Sequence, residues 1–308
     1  GSIHGEAYLL TRGRKGIKVN IRKKGRQRQH YDVHFGEANN IKLAAKLVPA
    51  KNFKDKDAEI EIEIMKELTK LSQKGWPHFP LLYGVLHCPY CAYKNKKLKK
   101  SQTPKQCIIL LNEFASGGDL LHWAQTSHNV EEWRSVTFQI LFSVHLFHQG
   151  THRVHGDTHG GNFLIHDTTP NKPKFWRYSL QSGDFTVPNL GSYIVIWDFG
   201  KSSKDSTYNS KTRQWALDYY RALEPSFGLL EHRQKMPREV RKYVQSLYKL
   251  MNSYFLYFDS DDKHPAYAVF KPESDKMLWN EIAQHPFFKS YLTGKSQQQN
   301  MWKMPKHI

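Results

Sequence analysis

The sequence predicts an α+β chain in two parts: a small β-rich part over residues 1–114 and a larger, mainly helical part over 115–308. Three observations predict it. Residues 1 to about 50 carry short β-type runs separated by glycine and basic residues. Helical periodicity governs 130–149 and most of the chain from Trp215 on. Near the start of the helical part, two acidic loops stand beside short apolar runs, Phe163-Leu164-Ile165 and Tyr193-Ile194-Val195-Ile196-Trp197.

The elements follow in order. Residues 41–48 read as a strand ended by Pro49. A helix is predicted over 57–71, where Ile60, Ile64, Leu68 and Leu71 recur at helical spacing, and Trp76-Pro77 breaks it. Two buried strands are expected over 79–87 and 107–114, with the polar, basic segment 88–106 as a hairpin insertion. The helix 130–149 sets Trp133, Val136, Ile140, Val144 and Phe147 on one face, and Gly150 is its expected stop. The tail from Gly294 is polar and expected to be poorly ordered.

Composition narrows the function classes. With 39% hydrophobic and 24% charged residues, the 308-residue chain can bury a core, which excludes bulk disorder. No stretch is long and apolar enough to span a bilayer, so no membrane role is expected. Gly1-Ser2 reads as an expression scar, and no signal peptide follows it. Three cysteines make no disulfide scaffold, so a reducing cytoplasmic or nuclear setting is expected, not secretion. The net charge of +18 fits either a lysine-rich solvated surface or attraction to nucleic acid, a nucleoprotein or an acidic protein substrate. The basic runs lack interleaved aromatics, which argues against a dedicated single-strand groove. Cys88, Cys91 and Cys107 raise zinc, but the second half of a ribbon motif is missing. Three unpaired thiols are the simpler expectation.

The chemistry lies in the two acidic loops, His155-Gly156-Asp157-Thr158-His159-Gly160-Gly161-Asn162 and Asp198-Phe199-Gly200. Phosphoryl transfer needs this inventory: one Asp orients the attacking hydroxyl and accepts its proton, while an Asn and a second Asp hold Mg²⁺ against nucleotide phosphates. With these residues the chain resembles the protein-kinase family, whose motifs read H-R-D-x-x-x-x-N and D-F-G. The resemblance covers nearly the whole chain, with lobes expected to meet near Glu113 to Asp119. It implies ATP and Mg²⁺ as cofactors, Asp157 as catalytic base, and Asn162 and Asp198 as metal ligands.

Other positions carry over individually. Lys46 in Leu43-Ala44-Ala45-Lys46 resembles the strand lysine that pairs with the α- and β-phosphates, and Glu61 its helix partner, with Glu59 and Glu63 competing. Gly13-Arg14-Lys15-Gly16-Ile17-Lys18-Val19 resembles a degenerate glycine loop, its valine one residue late. Asn112-Glu113-Phe114-Ala115-Ser116-Gly117-Gly118-Asp119 resembles the interlobe segment: Glu113 and Ala115 would meet the adenine edge, Asp119 the ribose. Asn112 would guard the back pocket. The resemblance adds Val19, Ala44 and Leu164 to the nucleotide site. His159 stands where most members carry lysine, and Asp218 resembles the helix aspartate that ties down the catalytic loop.

Two departures bear on regulation. Gly156 replaces the arginine that receives an activation-loop phosphate, and no A-P-E follows Gly200, with only 17 residues before Asp218. Constitutive activity is therefore expected. The strand-rich insertion 166–193 resembles haspin and Ser/Thr kinases of large DNA viruses. The leading expectation is a monomeric ATP- and Mg-dependent Ser/Thr protein kinase. The alternatives are a small-molecule kinase of the aminoglycoside type and a basic pseudokinase scaffold that binds nucleic acid.

Overall fold

The computed structural model describes residues 6–9, 17–24, 32–38, 41–50, 56–88, 106–180, 183–204, 215–258, 268–271 and 274–294. The chain divides into two compact units, one of Gly1–Thr69 with Pro80–Phe114, the other of Lys70–Phe79 with Ala115–Ile308.

The first unit is built on a six-stranded antiparallel sheet. Its strands are β1 (Glu6–Leu9), β2 (Ile17–Lys24), β3 (Asp32–Ala38), β4 (Ile41–Ala50), β5 (Leu82–Cys88) and β6 (Gln106–Glu113), in the order β1-β2-β3-β4-β6-β5. Strand β4 does not end at Pro49. Among the described residues its ladder with β3 runs to Leu47, while that with β6 continues to Ala50, so Pro49 lies beyond the described pairing with β3. Helix α1 (Lys56–Gln73) packs Ala58 and Ile62 against Val48, Val85, Ile108 and Leu110. Its buried positions, Ala58, Glu61, Ile64, Met65, Leu68 and Ser72, follow one helical face; Ile60, expected inside, is 38% exposed. The helix stops before Trp76: Gly75 takes φ 90°, and the amides of Gly75 and Trp76 return to Ser72 and Leu71 carbonyls.

The second unit is organised around α3 (Val130–Thr151), which follows α2 (Leu120–Trp123). Asn129 and Glu132 form a reciprocal capping box at its start. Gly150 does not stop it. The helix runs on to Thr151 and ends at His152 in the left-handed region, φ 52°. A Cβ at 150 would lie 2.7 Å from Leu71 Cδ1, so this glycine serves close packing.

Short strands follow: β7 (Arg153–Val154), β8 (Phe163–Asp167), β9 (Phe175–Leu180), β10 (Gly183–Pro188), β11 (Ser192–Ile196) and β12 (Ser203–Lys204). They pair antiparallel as β7 with β12, β8 with β11 and β9 with β10. The β9–β10 ribbon is part of the core: the Tyr178 ring lies 4.7 Å from Phe142 and the Phe185 ring 5.2 Å from Phe138, both on α3. The rest is mostly helical: α4 (Trp215–Leu223), α5 (Arg238–Tyr254) and α6 (Ser274–Ala283). The hairpin β13 (Phe255–Phe258) and β14 (Ala268–Phe270) and the strand β15 (Leu292–Gly294), which joins β10, complete it.

Candidate active site

In the first unit, Lys46 on β4 and Glu61 on α1 form a buried ion pair, Nζ to Oε1 2.5 Å, each 2% exposed. Glu59 and Glu63 are exposed, so helix phase selects Glu61 among the three. Ala44 is buried beside Lys46 on the same strand. Glu113 ends β6, where its amide donates to the Leu81 carbonyl. Asn112 is fully buried: its Nδ2 donates to the Leu110 carbonyl, whereas Oδ1 has no hydrogen-bond partner among the described residues. Val19 lies in β2, and Gly13 and Gly16 lie outside the described residues.

In the second unit, the loop 155–162 is held by Asp218 on α4. One carboxylate oxygen accepts the His155 amide (2.7 Å) and the His148 ring Nε2 (2.8 Å); the other accepts the Gly156 amide (2.8 Å). Thr158 donates to the Asp218 carbonyl at 2.6 Å. Burial would raise the Asp218 carboxyl, but hydrogen bonds and charge from His148 and His155 outweigh it and hold it below the ordinary value. The His155 ring packs edge-on to Phe147 and tilted against Phe199, and its Nε2 meets the Trp197 carbonyl at 2.9 Å.

A hydrogen-bonded frame joins Asp157 to Asn162 and reaches the residue before Asp198. Asn162 Nδ2 donates to the Asp157 carbonyl at 2.7 Å, and the Trp197 amide donates to the Asn162 carbonyl at 2.8 Å, which brings Asp198 next to them. Asp198 adopts φ 65°, a left-handed conformation that costs a non-glycine residue about 1 kcal/mol or more. Such strain is retained where the surroundings impose it. With Nδ2 committed, Asn162 Oδ1 and the Asp198 carboxylate are hard oxygen donors. That set suits Mg²⁺, which takes one or two protein ligands and keeps phosphate and water for the rest. Among the described residues no group of three or more His, Cys, Asp or Glu stands in a metal-holding arrangement. Cys107 is bonded in a disulfide, contrary to the expectation of three unpaired thiols, and so is not a zinc thiolate. Cys91 lies outside the described residues.

Asp157 is contacted by two cations that sequence reasoning missed. Arg221 on α4 donates from Nη2 to Oδ1 at 3.0 Å and from Nη1 to the Gly156 carbonyl. Lys201 Nζ lies 2.9 Å from Oδ2. His159, predicted near the reacting atoms, presents Nε2 at 3.7 Å from the same Oδ2, and its Nδ1 accepts the Gly161 amide at 3.1 Å. Burial would raise the Asp157 carboxyl, but His159, Arg221 and Lys201 together hold it below the ordinary value. Arg221 had a sequence signal, since it follows Asp218 by three residues on one helix and so shares its face. Lys201 had none beyond following Asp198-Phe199-Gly200.

Of the remaining predicted residues, Ala115 opens the second unit. Asp119 caps α2, its Oδ1 accepting the His122 amide at 2.8 Å, and pairs across an isolated bridge with Leu164 on β8.

No protein-family model matches the chain. It is 30% identical over 181 residues to a protein of Acanthamoeba polyphaga mimivirus named as serine/threonine-protein kinase R400. That match covers 49% of this chain and 38% of the viral protein. It is also 30% identical over 141 residues to a protein of Invertebrate iridescent virus 6 named as serine/threonine-protein kinase 380R, covering 44% of this chain and 25% of that one. The chain thus spans well under half the length of these curated relatives. What it resembles is viral serine/threonine-protein kinases, and its mixed α and β architecture is consistent with a kinase-like fold.

Proposed function

We propose that this chain is a protein kinase that transfers the γ-phosphoryl group of ATP to Ser or Thr hydroxyls. The observation that carries the reading is the frame tying Asp157, Asn162 and the backbone before Asp198 together through Asn162. Asp157 is the base: its carboxyl is held ionised and ready to accept the hydroxyl proton at the pH of the cell. Asn162 and Asp198 offer oxygens to Mg²⁺, which when bound neutralises phosphate charge. Lys46, held extended by Glu61, is the phosphate-binding lysine of the first unit. The β9–β10 ribbon on α3 supports the narrower likeness to haspin.

Activity without an activation-loop phosphate belongs to the same reading. The loop has glycine where the family's phosphate-reading arginine stands, and Arg221 grips both the Gly156 carbonyl and Asp157 from α4 with no modification required.

The test is transfer of radiolabel from Mg-ATP. Label should move to a basic protein acceptor, Asp157→Asn should abolish transfer while Mg-ATP still raises the melting temperature, and Asp198→Asn should lose both. Label moving only to alcohols or amines would replace this reading with a small-molecule kinase. Normal turnover by Asp157→Asn would remove Asp157 as base.

A further inference from the structure

A phosphoryl group in flight spreads negative charge over three equatorial oxygens, and a cation fixed beside it lowers the barrier. Position 159 carries a histidine in place of a lysine, and its Nδ1 accepts the Gly161 amide at 3.1 Å. Arg221 is committed elsewhere, its side chain only 10% exposed and its two terminal nitrogens engaged by Oδ1 of Asp157 and the Gly156 carbonyl.

Lys201 differs from Arg221 in exposure. Its side chain is 62% exposed, and its ammonium meets Oδ2, the Asp157 oxygen that His159 also faces. Its backbone is held on each side: the Ser202 amide donates to the Phe199 carbonyl at 3.0 Å, and Ser203 pairs with Val154 in the β7–β12 ladder. A lysine stem on a fixed backbone can swing its ammonium several ångströms while remaining at the loop.

We propose that Lys201 is the phosphate-facing cation of this site, standing in for the loop lysine that position 159 lacks. When a substrate hydroxyl takes Oδ2 of Asp157, the Lys201 ammonium moves onto the transferred phosphoryl oxygens and stabilises their charge. This rests on Asp157 being the base of a phosphoryl transfer.

An acyl-phosphate derivative of ATP tests placement without relying on turnover. A lysine amine beside the terminal phosphate attacks the acyl carbonyl; the amide bond forms, the acyl–phosphate bond breaks, and ATP leaves. Peptide mapping of the labelled full chain should find the acyl group on Lys201, and excess Mg-ATP should prevent it. Lys201 unlabelled in a protein whose melting temperature Mg-ATP raises overturns the assignment. In steady-state assays Lys201→Met should lower kcat about 100-fold, as when a single charge-stabilising donor is removed, with little change in KM for ATP. Lys201→Arg should restore most of it. Higher turnover in Lys201→Met would make the lysine a latch on Asp157 and overturn the proposal. Inactive Asp157→Asn with a fully active Lys201→Met would sink the lysine assignment alone, whereas an active Asp157→Asn would sink the base reading beneath it.

Discussion

Arg221 does at Asp157 what a loop arginine cannot do from position 156, where glycine adopts φ 74°. It reaches in from α4 and bonds a carboxylate oxygen and the carbonyl just before it, fixing both the direction of the side chain and the path of the loop. A guanidinium spans two acceptors in a fixed plane; an ammonium does not. With Asp157 as the proposed base, Arg221→Gln should lower kcat about 10- to 100-fold, the cost of displacing it by up to an ångström, with KM for ATP little changed. Loss of the cation also raises the Asp157 carboxyl, so the acid limb of the rate profile should move to higher pH. Arg221→Lys should bring back the pH profile more fully than kcat, because charge survives the change and the two-point grip does not. Equal losses in both variants, tracking a lower melting temperature, would reduce Arg221 to a packing residue.

At the scale of elements, the placements that follow most directly from sequence are those set by local geometry. Asp157, Asn162 and Asp198 sit in short loops beside strands, and their spacing carries into the structure because β8 and β11 pair directly and align the two loops. Lys46 and Glu61 were legible for a similar reason: strand position and helix phase place each one. What was not legible depends on distant packing. Gly150 looked like a helix stop but is a contact with Leu71, and Pro49 looked like a strand end but lies beyond the described pairing with β3. The turn after α4 is a further case. Glu224 accepts the Ser226 and Phe227 amides, and the Phe227 carbonyl receives the Gly160 amide at 2.8 Å, so this turn braces the loop 155–162. A Cβ at Gly228 would lie 2.5 Å from the Arg221 carbonyl, 2.6 Å from the Glu224 amide nitrogen and 2.8 Å from the Ala222 carbonyl, all backbone atoms. Gly228→Ala should destabilise the protein by about 2 kcal/mol or more in chemical denaturation, within the range seen for overpacking. A change under about 0.5 kcal/mol would show that the turn relaxes without strain.

At the scale of the whole molecule, the second unit carries an acid sensitivity set by buried imidazoles. His78 is 1% exposed with every polar ring atom engaged: Nδ1 meets the Ile194 carbonyl at 2.6 Å and Nε2 the Tyr178 hydroxyl at 3.0 Å, while its amide donates to the Tyr193 hydroxyl at 2.8 Å. Burial pushes its pKa down to about 4, against a smaller upward pull from the Ile194 carbonyl. The unfolded chain therefore takes up a proton near pH 6.5 that the folded chain refuses, so stability falls as pH drops from about 6.5 to about 4 and levels off below. At full extent that is about 3 kcal/mol from this one residue, of which about 2 kcal/mol is lost by pH 5. His155, His232 and His285 are depressed by burial too and add to the loss in the same direction. The depressed carboxylates Asp157 and Asp218 act in a different window, protecting the fold above their ordinary pKa and failing only at more acid pH. Thermal melts should then show a midpoint at pH 5 lower than at pH 7 by roughly 4–8 °C on account of His78 alone. His78→Gln, which keeps a polar group but does not titrate, should start from a lower midpoint at pH 7 and lose less of it on acidification. An unchanged pH dependence in that variant would mean that His78 takes up its proton equally in both states, and that the burial of its ring does not govern the acid response.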